Sequence, residues 1–157
     1  MITENTVYHT LNPDETEAVG AALAERLASA PGSLPPFIAL YGDLGVGKTA
    51  FVRGVSSVLA PGSAARSPTF SIVNEYRSGD CPVFHFDMYR VDSEDDLFSI
   101  GYDDYLARGG VCLVEWSEKI PEAIPPEYIR VTIRKDNDAL PQSREIRVEV
   151  IRLEENQ

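Results

Sequence analysis

The sequence has no apolar stretch long enough to cross a membrane, and no apolar run near its start of the kind that opens a secretory signal. Both absences set the expectation of a cytoplasmic protein without membrane contact. Basic residues are scarce, with 14 Lys and Arg against 25 Asp and Glu, for a net charge of −11. Such a surface repels a phosphate backbone, which disfavours independent nucleic-acid binding and leaves any nucleic-acid role to a partner with basic surface. Cysteine is nearly absent. Cys81 and Cys112 form no CxxC and sit in or beside expected strands, so two reduced, buried thiols are expected rather than a disulfide or a metal site. There are two histidines, one in each of two expected strands. His9 reads as a surface strand residue and His85 as a satisfied structural histidine. No repeat, low-complexity tract or domain boundary interrupts the chain. Its 157 residues, 43% of them hydrophobic, suffice for one domain over residues 1–157 with a real core.

What the sequence does contain is concentrated at Gly42-Asp43-Leu44-Gly45-Val46-Gly47-Lys48-Thr49, which fits G-x-x-x-x-G-K-[ST] at every fixed position. The short apolar run from Pro36 to Tyr41 precedes it as a buried strand, and the segment from Lys48 through Ala50 and Phe51 opens a helix with apolar positions 51, 52, 55, 58 and 59. Strand, glycine loop and helix thus come in the order that phosphate binding requires. Glycines let backbone N–H groups turn inward onto phosphate oxygens, and the helix N-terminus adds partial positive charge. Lys48 is positioned in the motif to reach the β- and γ-phosphates, and the Thr49 hydroxyl to ligate Mg²⁺, a hard cation that takes oxygen ligands. Residues 42–50 are the expected nucleotide-binding segment.

The remaining chain reads as an α/β domain. A β-prone strand covers residues 6–10. Asn12-Pro13 then caps an amphipathic helix over 13–30, whose first turn carries Asp14, Glu15 and Glu17. Residues 70–77 and 82–86 form a hairpin through Ser78-Gly79-Asp80, so the sheet is not all parallel. Ser93 caps a short helix, a second helical piece spans about 102–108, and Val111 to Val114 is another buried strand. Ile120 to Pro126 is a proline-punctuated loop. Two alternating segments follow, with Ile129, Val131 and Ile133 in one and Ile146, Val148 and Val150 in the other, joined by a polar loop from Asp136 to Ser143. The expectation is a central sheet of about seven strands, mixed and mostly parallel, flanked by helices. Arg134 and Lys135 lie on a solvated face, within possible reach of a nucleotide.

Two strands end in an acid, the first at Asp87 and the second at Glu115. Beside a P-loop, strand-terminal carboxylates hold Mg²⁺ and orient water, so both are catalytic candidates with Lys48. Glu115 fits a Walker B type acid. Which of the two takes metal and which takes water stays open at this level. Thr69, in Arg66-Ser67-Pro68-Thr69-Phe70 after the first helix of the motif, is a candidate sensor of Mg²⁺ and γ-phosphate. The competing reading of that segment is a plain turn. Trp116, next to Glu115, is either a core anchor or a nucleotide-responsive or partner-facing residue.

No Asn-Lys-x-Asp appears, so ATP is expected rather than GTP. There is no arginine-rich lid, and the chain is too short for a helicase or transporter motor. Four segments together, Gly42 to Thr49, Ser67-Pro68-Thr69-Phe70, His85-Phe86-Asp87-Met88-Tyr89-Arg90 and Glu115-Trp116, resemble the TsaE (YjeE) family of small bacterial ATPases in order, spacing and chain length. The resemblance implies a weak ATPase that uses ATP and Mg²⁺, releases ADP, and serves the formation of N6-threonylcarbamoyladenosine at position 37 of tRNA. It implies association with the TsaD and TsaB proteins, with tRNA met only through them. It also implies that Lys48 and Thr49 handle phosphates and Mg²⁺, that Thr69 lies in a switch-like segment, and that Asp87 and Glu115 surround metal and water. Two other readings stay open. One is a small-molecule phosphotransferase, with Asp87 as base and Arg90 holding an acceptor phosphate. The other is a non-catalytic module whose nucleotide state gates docking.

Overall fold

Short apolar runs, which can be buried on both faces, form the centre of the sheet. The strands β2 (Phe37–Tyr41), β4 (Val83–Asp87) and β5 (Val111–Glu115) are such runs, and Ile38, Ala39, Leu40, Phe84, Phe86, Leu113 and Val114 have no exposed surface. The computed structural model describes residues 1–30, 32–42, 47–62 and 72–153. Seven strands form one sheet. The remaining four are β1 (Ile2–Thr10), β3 (Val73–Tyr76), β6 (Tyr128–Asn137) and β7 (Leu140–Ile151), and the spatial order is β1-β7-β6-β2-β5-β4-β3. The four central strands β6, β2, β5 and β4 run parallel to one another. The outer pairings, β1 with β7, β7 with β6 and β3 with β4, are antiparallel. The mixed sheet expected from the hairpins and buried runs is therefore present, with its parallel part confined to the middle.

Two helices cover one face. These are α1 (Pro13–Ser29) and α2 (Lys48–Leu59), which bring Leu23, Leu27, Phe51, Val52 and Val55 onto Ile38, Leu40, Leu113 and Val131. Burying one such side chain contributes about 1.5–3 kcal/mol, so this layer supplies much of the driving force. The opposite face is covered by α3 (Glu94–Ser99), α4 (Tyr102–Ala107) and the turns after β5. There Tyr102 and Tyr105 meet the Phe86 ring edge-on, with centroids 5.6 and 5.4 Å apart. Among the described residues, no helix is long and apolar enough to cross a membrane.

Local signals act where the sequence puts them. The Asn12 side chain accepts from the Glu15 N–H at 2.9 Å, and the Glu15 carboxylate accepts in return from the Leu11 N–H at 3.0 Å. Ser93 caps α3 by accepting from the Asp96 N–H at 3.2 Å. Cys112 is buried and Cys81 half-buried, and both are free thiols. Burial pushes the Cys112 thiol up to about 12, which makes it unreactive.

Element lengths differ in three places. The strand expected over 70–77 covers Val73–Tyr76, with residues 70 and 71 outside the described residues. β1 begins at Ile2 rather than residue 6, because β7 continues to Ile151 and offers partners along its whole length, with Ile2 opposite Ile151. The hairpin loop expected over Asp136 to Ser143 is much tighter. β6 runs to Asn137 and β7 restarts at Leu140, leaving Asp138-Ala139 as the turn. This end of the ladder projects past the core, so both faces are wet and apolar alternation is not needed to extend it.

The α1–α2 crossing is unusually close. A Cβ on Gly54 would lie 1.9 Å from the Glu17 carbonyl oxygen, and one on Gly20 would lie 2.2 Å from the Phe51 carbonyl oxygen. Helix propensity alone would favour alanine at Gly54 by about 1 kcal/mol. Backbone-on-backbone contact reverses that sign. Gly54→Ala is expected to destabilise the fold by about 1–3 kcal/mol, read as a lower midpoint in urea at unchanged slope; an unchanged or higher midpoint would contradict the packing.

Candidate active site

The four parallel strands share one carboxyl edge, and α2 starts beside it. Gly47 precedes the helix with φ 104°, a left-handed conformation that favours glycine. Lys48 follows at the first helical position and is buried. Its ammonium donates to the Gly42 carbonyl at 2.9 Å and lies 4.2 Å from the centroid of the Trp116 ring. Both contacts are with neutral groups, weaker partners for an ammonium than an anionic phosphate oxygen. Thr49 is exposed on the same turn, and Ala50 is buried beneath it. Asp43, Leu44, Gly45 and Val46 lie outside the described residues, as does Thr69.

Asp87 and Glu115 are direct partners in the parallel ladder of β4 and β5. Their environments differ. Glu115 is 4% exposed, and one of its oxygens, Oε2, lies 2.6 Å from His85 Nε2. His85 Nδ1 in turn lies 3.2 Å from the Tyr76 hydroxyl on β3. Asp87 is half-buried and accepts from the Tyr89 N–H at 3.0 Å. Burial pushes the Asp87 carboxyl above its ordinary range, and the Glu115 carboxylate adds to this. The Tyr89 N–H, His85 and Lys48 pull the other way.

Trp116 leaves β5 with φ 59°, and it is the one non-glycine residue with positive φ among those described. Holding a bulky residue there costs about 1–3 kcal/mol and persists only where the surroundings enforce it. The constraints are visible: the Met88 N–H donates to the Glu115 carbonyl at 3.1 Å, the Ser117 hydroxyl donates to the Val114 carbonyl at 2.7 Å, and the indole meets Lys48 and the Tyr89 ring, whose centroid is 5.0 Å away. Arg90 is exposed beyond this group. The structure therefore brings Lys48, Asp87, Glu115 and Trp116 together.

Three contributors escaped sequence reasoning. His85 is satisfied, as expected of a structural histidine, but its partner is the candidate acid itself. The signal available was its position two residues before Asp87, on the same face of β4. Tyr89 meets Trp116 at a tilt; it stands in the family-like segment His85 to Arg90, but nothing in that segment assigns it this contact. Arg144 on β7 comes near the phosphate loop, its Nε 3.9 Å from where a Cβ on Gly47 would stand, and only the strand register reveals this. Arg134 and Lys135 are exposed on β6.

The donors available for a cation are the Thr49 hydroxyl and the Asp87 and Glu115 carboxylates, all hard oxygens. Among the described residues, no three His, Cys, Asp or Glu side chains converge into a protein-only cage. That set fits Mg²⁺ held partly by phosphates and water better than a softer metal in a closed site.

A strand, a glycine loop, a helix-starting lysine and two acids at neighbouring strand ends define a P-loop nucleotide-binding protein. Residues 10–146 match the family described as Threonylcarbamoyl adenosine biosynthesis protein TsaE, and the chain belongs to that family. The tRNA threonylcarbamoyladenosine biosynthesis protein TsaE of Bacillus subtilis is 40% identical over 131 residues, covering 83% of this chain and 78% of that one. Its namesake in Haemophilus influenzae is 35% identical over 129 residues, covering 81% and 82%. The crystal structure of Bacillus subtilis YdiB superposes with a TM-score of 0.76 at 32% identity, covering 96% of this chain and 88% of that one.

The Asp87 environment makes a stability prediction for the metal-free, nucleotide-free protein. Its carboxyl titrates higher when folded than when unfolded, so the ionised form weighs against folding at neutral pH. That cost disappears as pH falls through the folded value to below the ordinary aspartate range. Asp87→Asn is expected to melt about 1–3 °C above wild type at pH 7, under about 1 kcal/mol once screening of a half-buried group is allowed for. The gap should close in acid. A lower melting point at pH 7 would contradict this account.

Proposed function

We propose that this chain binds ATP with Mg²⁺ at its P-loop and hydrolyses it to ADP and phosphate, as the accessory ATPase of the proteins that form N6-threonylcarbamoyladenosine at position 37 of tRNA. The observation that carries the ATPase reading is the convergence of Lys48, Asp87 and Glu115 at one sheet edge, with the two acids paired in register. The tRNA role follows from the family and from the names its relatives carry. The net charge of −11 supports indirect contact with tRNA, through the TsaD and TsaB proteins as docking partners.

In this mechanism the Lys48 ammonium leaves the Gly42 carbonyl and the indole face for the β- and γ-phosphate oxygens, a gain in charge–charge attraction in a nearly dry site. The Thr49 hydroxyl and the Glu115 carboxylate would hold Mg²⁺. When bound, the ion neutralises charge developing on the transferred phosphoryl group. Glu115 has Oε2 committed to His85, which leaves Oε1 for the metal or its water. Asp87 is the second carboxylate, and its raised affinity for a proton suits a group that accepts one from the attacking water. Trp116 and Tyr89 wall the site beside Lys48.

The test is ATP turnover of the purified protein with Mg²⁺, alone and with the TsaB and TsaD proteins of the same organism. Weak turnover that rises with the partners is the expected result; no complex and no rise would break the assignment. A phosphorylated acceptor in place of free phosphate would mark a phosphotransferase instead. Lys48→Ala should abolish ATP binding. Glu115→Gln should bind ATP normally and lose about 10²-fold or more in kcat, and equal turnover would remove Glu115 from the mechanism.

A further inference from the structure

We infer that His85 is a positioning residue for this site: through its Nε2 bond it holds the Glu115 carboxylate in the orientation that hydrolysis uses, with Tyr76 anchoring the ring from behind. The inference rests on the proposed ATPase role of Glu115. Three observations carry it. The Nε2–Oε2 separation is 2.6 Å, just below the roughly 2.7–2.9 Å usual for a charge-assisted N–H···O bond, and both side chains are almost wholly buried, 1% and 5% exposed. The pairing is diagonal. His85 stands opposite Leu113 in the ladder while Glu115 stands opposite Asp87, so the Glu115 side chain is drawn back along the sheet instead of extending into solvent. The ring is clamped at both nitrogens, by Glu115 on one side and the Tyr76 hydroxyl on the other.

A structural histidine needs only to have its nitrogens satisfied, and many buried groups could do that. Here the partner is an acid whose reach spans several torsions and whose other oxygen serves the site. Removing the imidazole leaves Glu115 buried without its bond, free to turn away. Removing an outer partner that orients a metal-site group typically costs about 10–100-fold in metal affinity or activity. The geometry also makes a substitution pattern readable. A glutamine at position 85 can present an amide N–H near the place of Nε2, whereas leucine fills the space and presents nothing.

The experiment combines kinetics with a spectroscopic readout on the unliganded protein. Single-turnover hydrolysis with enzyme in excess is measured for wild type, His85→Leu, His85→Gln, Glu115→Gln and His85→Leu/Glu115→Gln, with ATP affinity and melting temperature recorded for each. His85→Leu is expected to lose about tenfold or more in rate with ATP affinity within about threefold of wild type. His85→Gln should recover most of that rate, and the double variant should be no slower than Glu115→Gln alone, since the imidazole acts through that carboxylate. In imidazole ¹⁵N–¹H spectra, assigned with His9→Gln because the chain has only two histidines, His85 should show an exchange-protected Nε2–H at low field that moves upfield in Glu115→Gln. If Glu115→Gln loses turnover but His85→Leu keeps it, the inference is overturned and the proposed function stands. If Glu115→Gln itself turns over normally, the reading of Glu115 falls and the inference with it. Losses that multiply in the double variant would also overturn it. Should His85→Leu fail to fold, the glutamine variant and the wild-type spectrum decide, and an Nε2–H that is unprotected or unmoved by Glu115→Gln would refute the bond's role.

Discussion

Parallel pairing of β2, β5 and β4 is the constraint from which the rest of this molecule follows. Strands that run the same way end on the same edge, and the chain leaving each strand must pass over that edge. The glycine loop leaves β2, Asp87 closes β4 and Glu115 closes β5, so three remote segments meet without any direct covalent link. The antiparallel strands at the flanks do other work. They widen the sheet, and β7 carries Arg144 around to the phosphate loop.

The same convergence creates an electrostatic problem. Two carboxylates, an imidazole and an ammonium lie in or near a dry interior, where an unpaired charge costs several kcal/mol. The fold compensates by assigning each group a short-range partner. Glu115 has the His85 ring, Asp87 has the Tyr89 N–H, and Lys48 has a carbonyl and an indole face. These partners are good enough to keep the groups in place, yet those of Lys48 are weak enough to be exchanged. The left-handed backbone at Trp116 belongs to this arrangement, since it turns the indole over Lys48 immediately after Glu115.

Away from this edge the protein is strongly acidic, and the visible ion pairs are mostly exposed ones such as Arg26 with Glu4 and Arg77 with Glu75, each worth little to stability. Stability comes instead from the two apolar layers and from the close crossing of α1 and α2 at Gly20 and Gly54. A surface of one dominant sign opposes self-association and favours partners that are less acidic than itself.

How much was legible follows from the range of each signal. Asn12-Pro13, Ser93 and the apolar runs are local, acting over a few residues, and each appears where the sequence places it among the described residues; the motif from Gly42 to Thr49 is equally local, with Asp43 to Val46 outside the described residues. Strand type and the two terminal acids were equally local. The bond from His85 to Glu115 was not, because it joins residues 30 apart and depends on which strands are neighbours and in what register. The tilted contact of Tyr89 with Trp116, the approach of Arg144 to Gly47 and the reversed preference for glycine at position 54 have the same origin. The sequence by itself determined the elements, the phosphate-loop motif and the family, because periodicity, capping and motif spacing are carried by neighbouring residues. Only the tertiary structure decided which acid is buried and held and which is half-exposed and proton-loving, because burial and partner choice are set by strand order and register across the whole sheet.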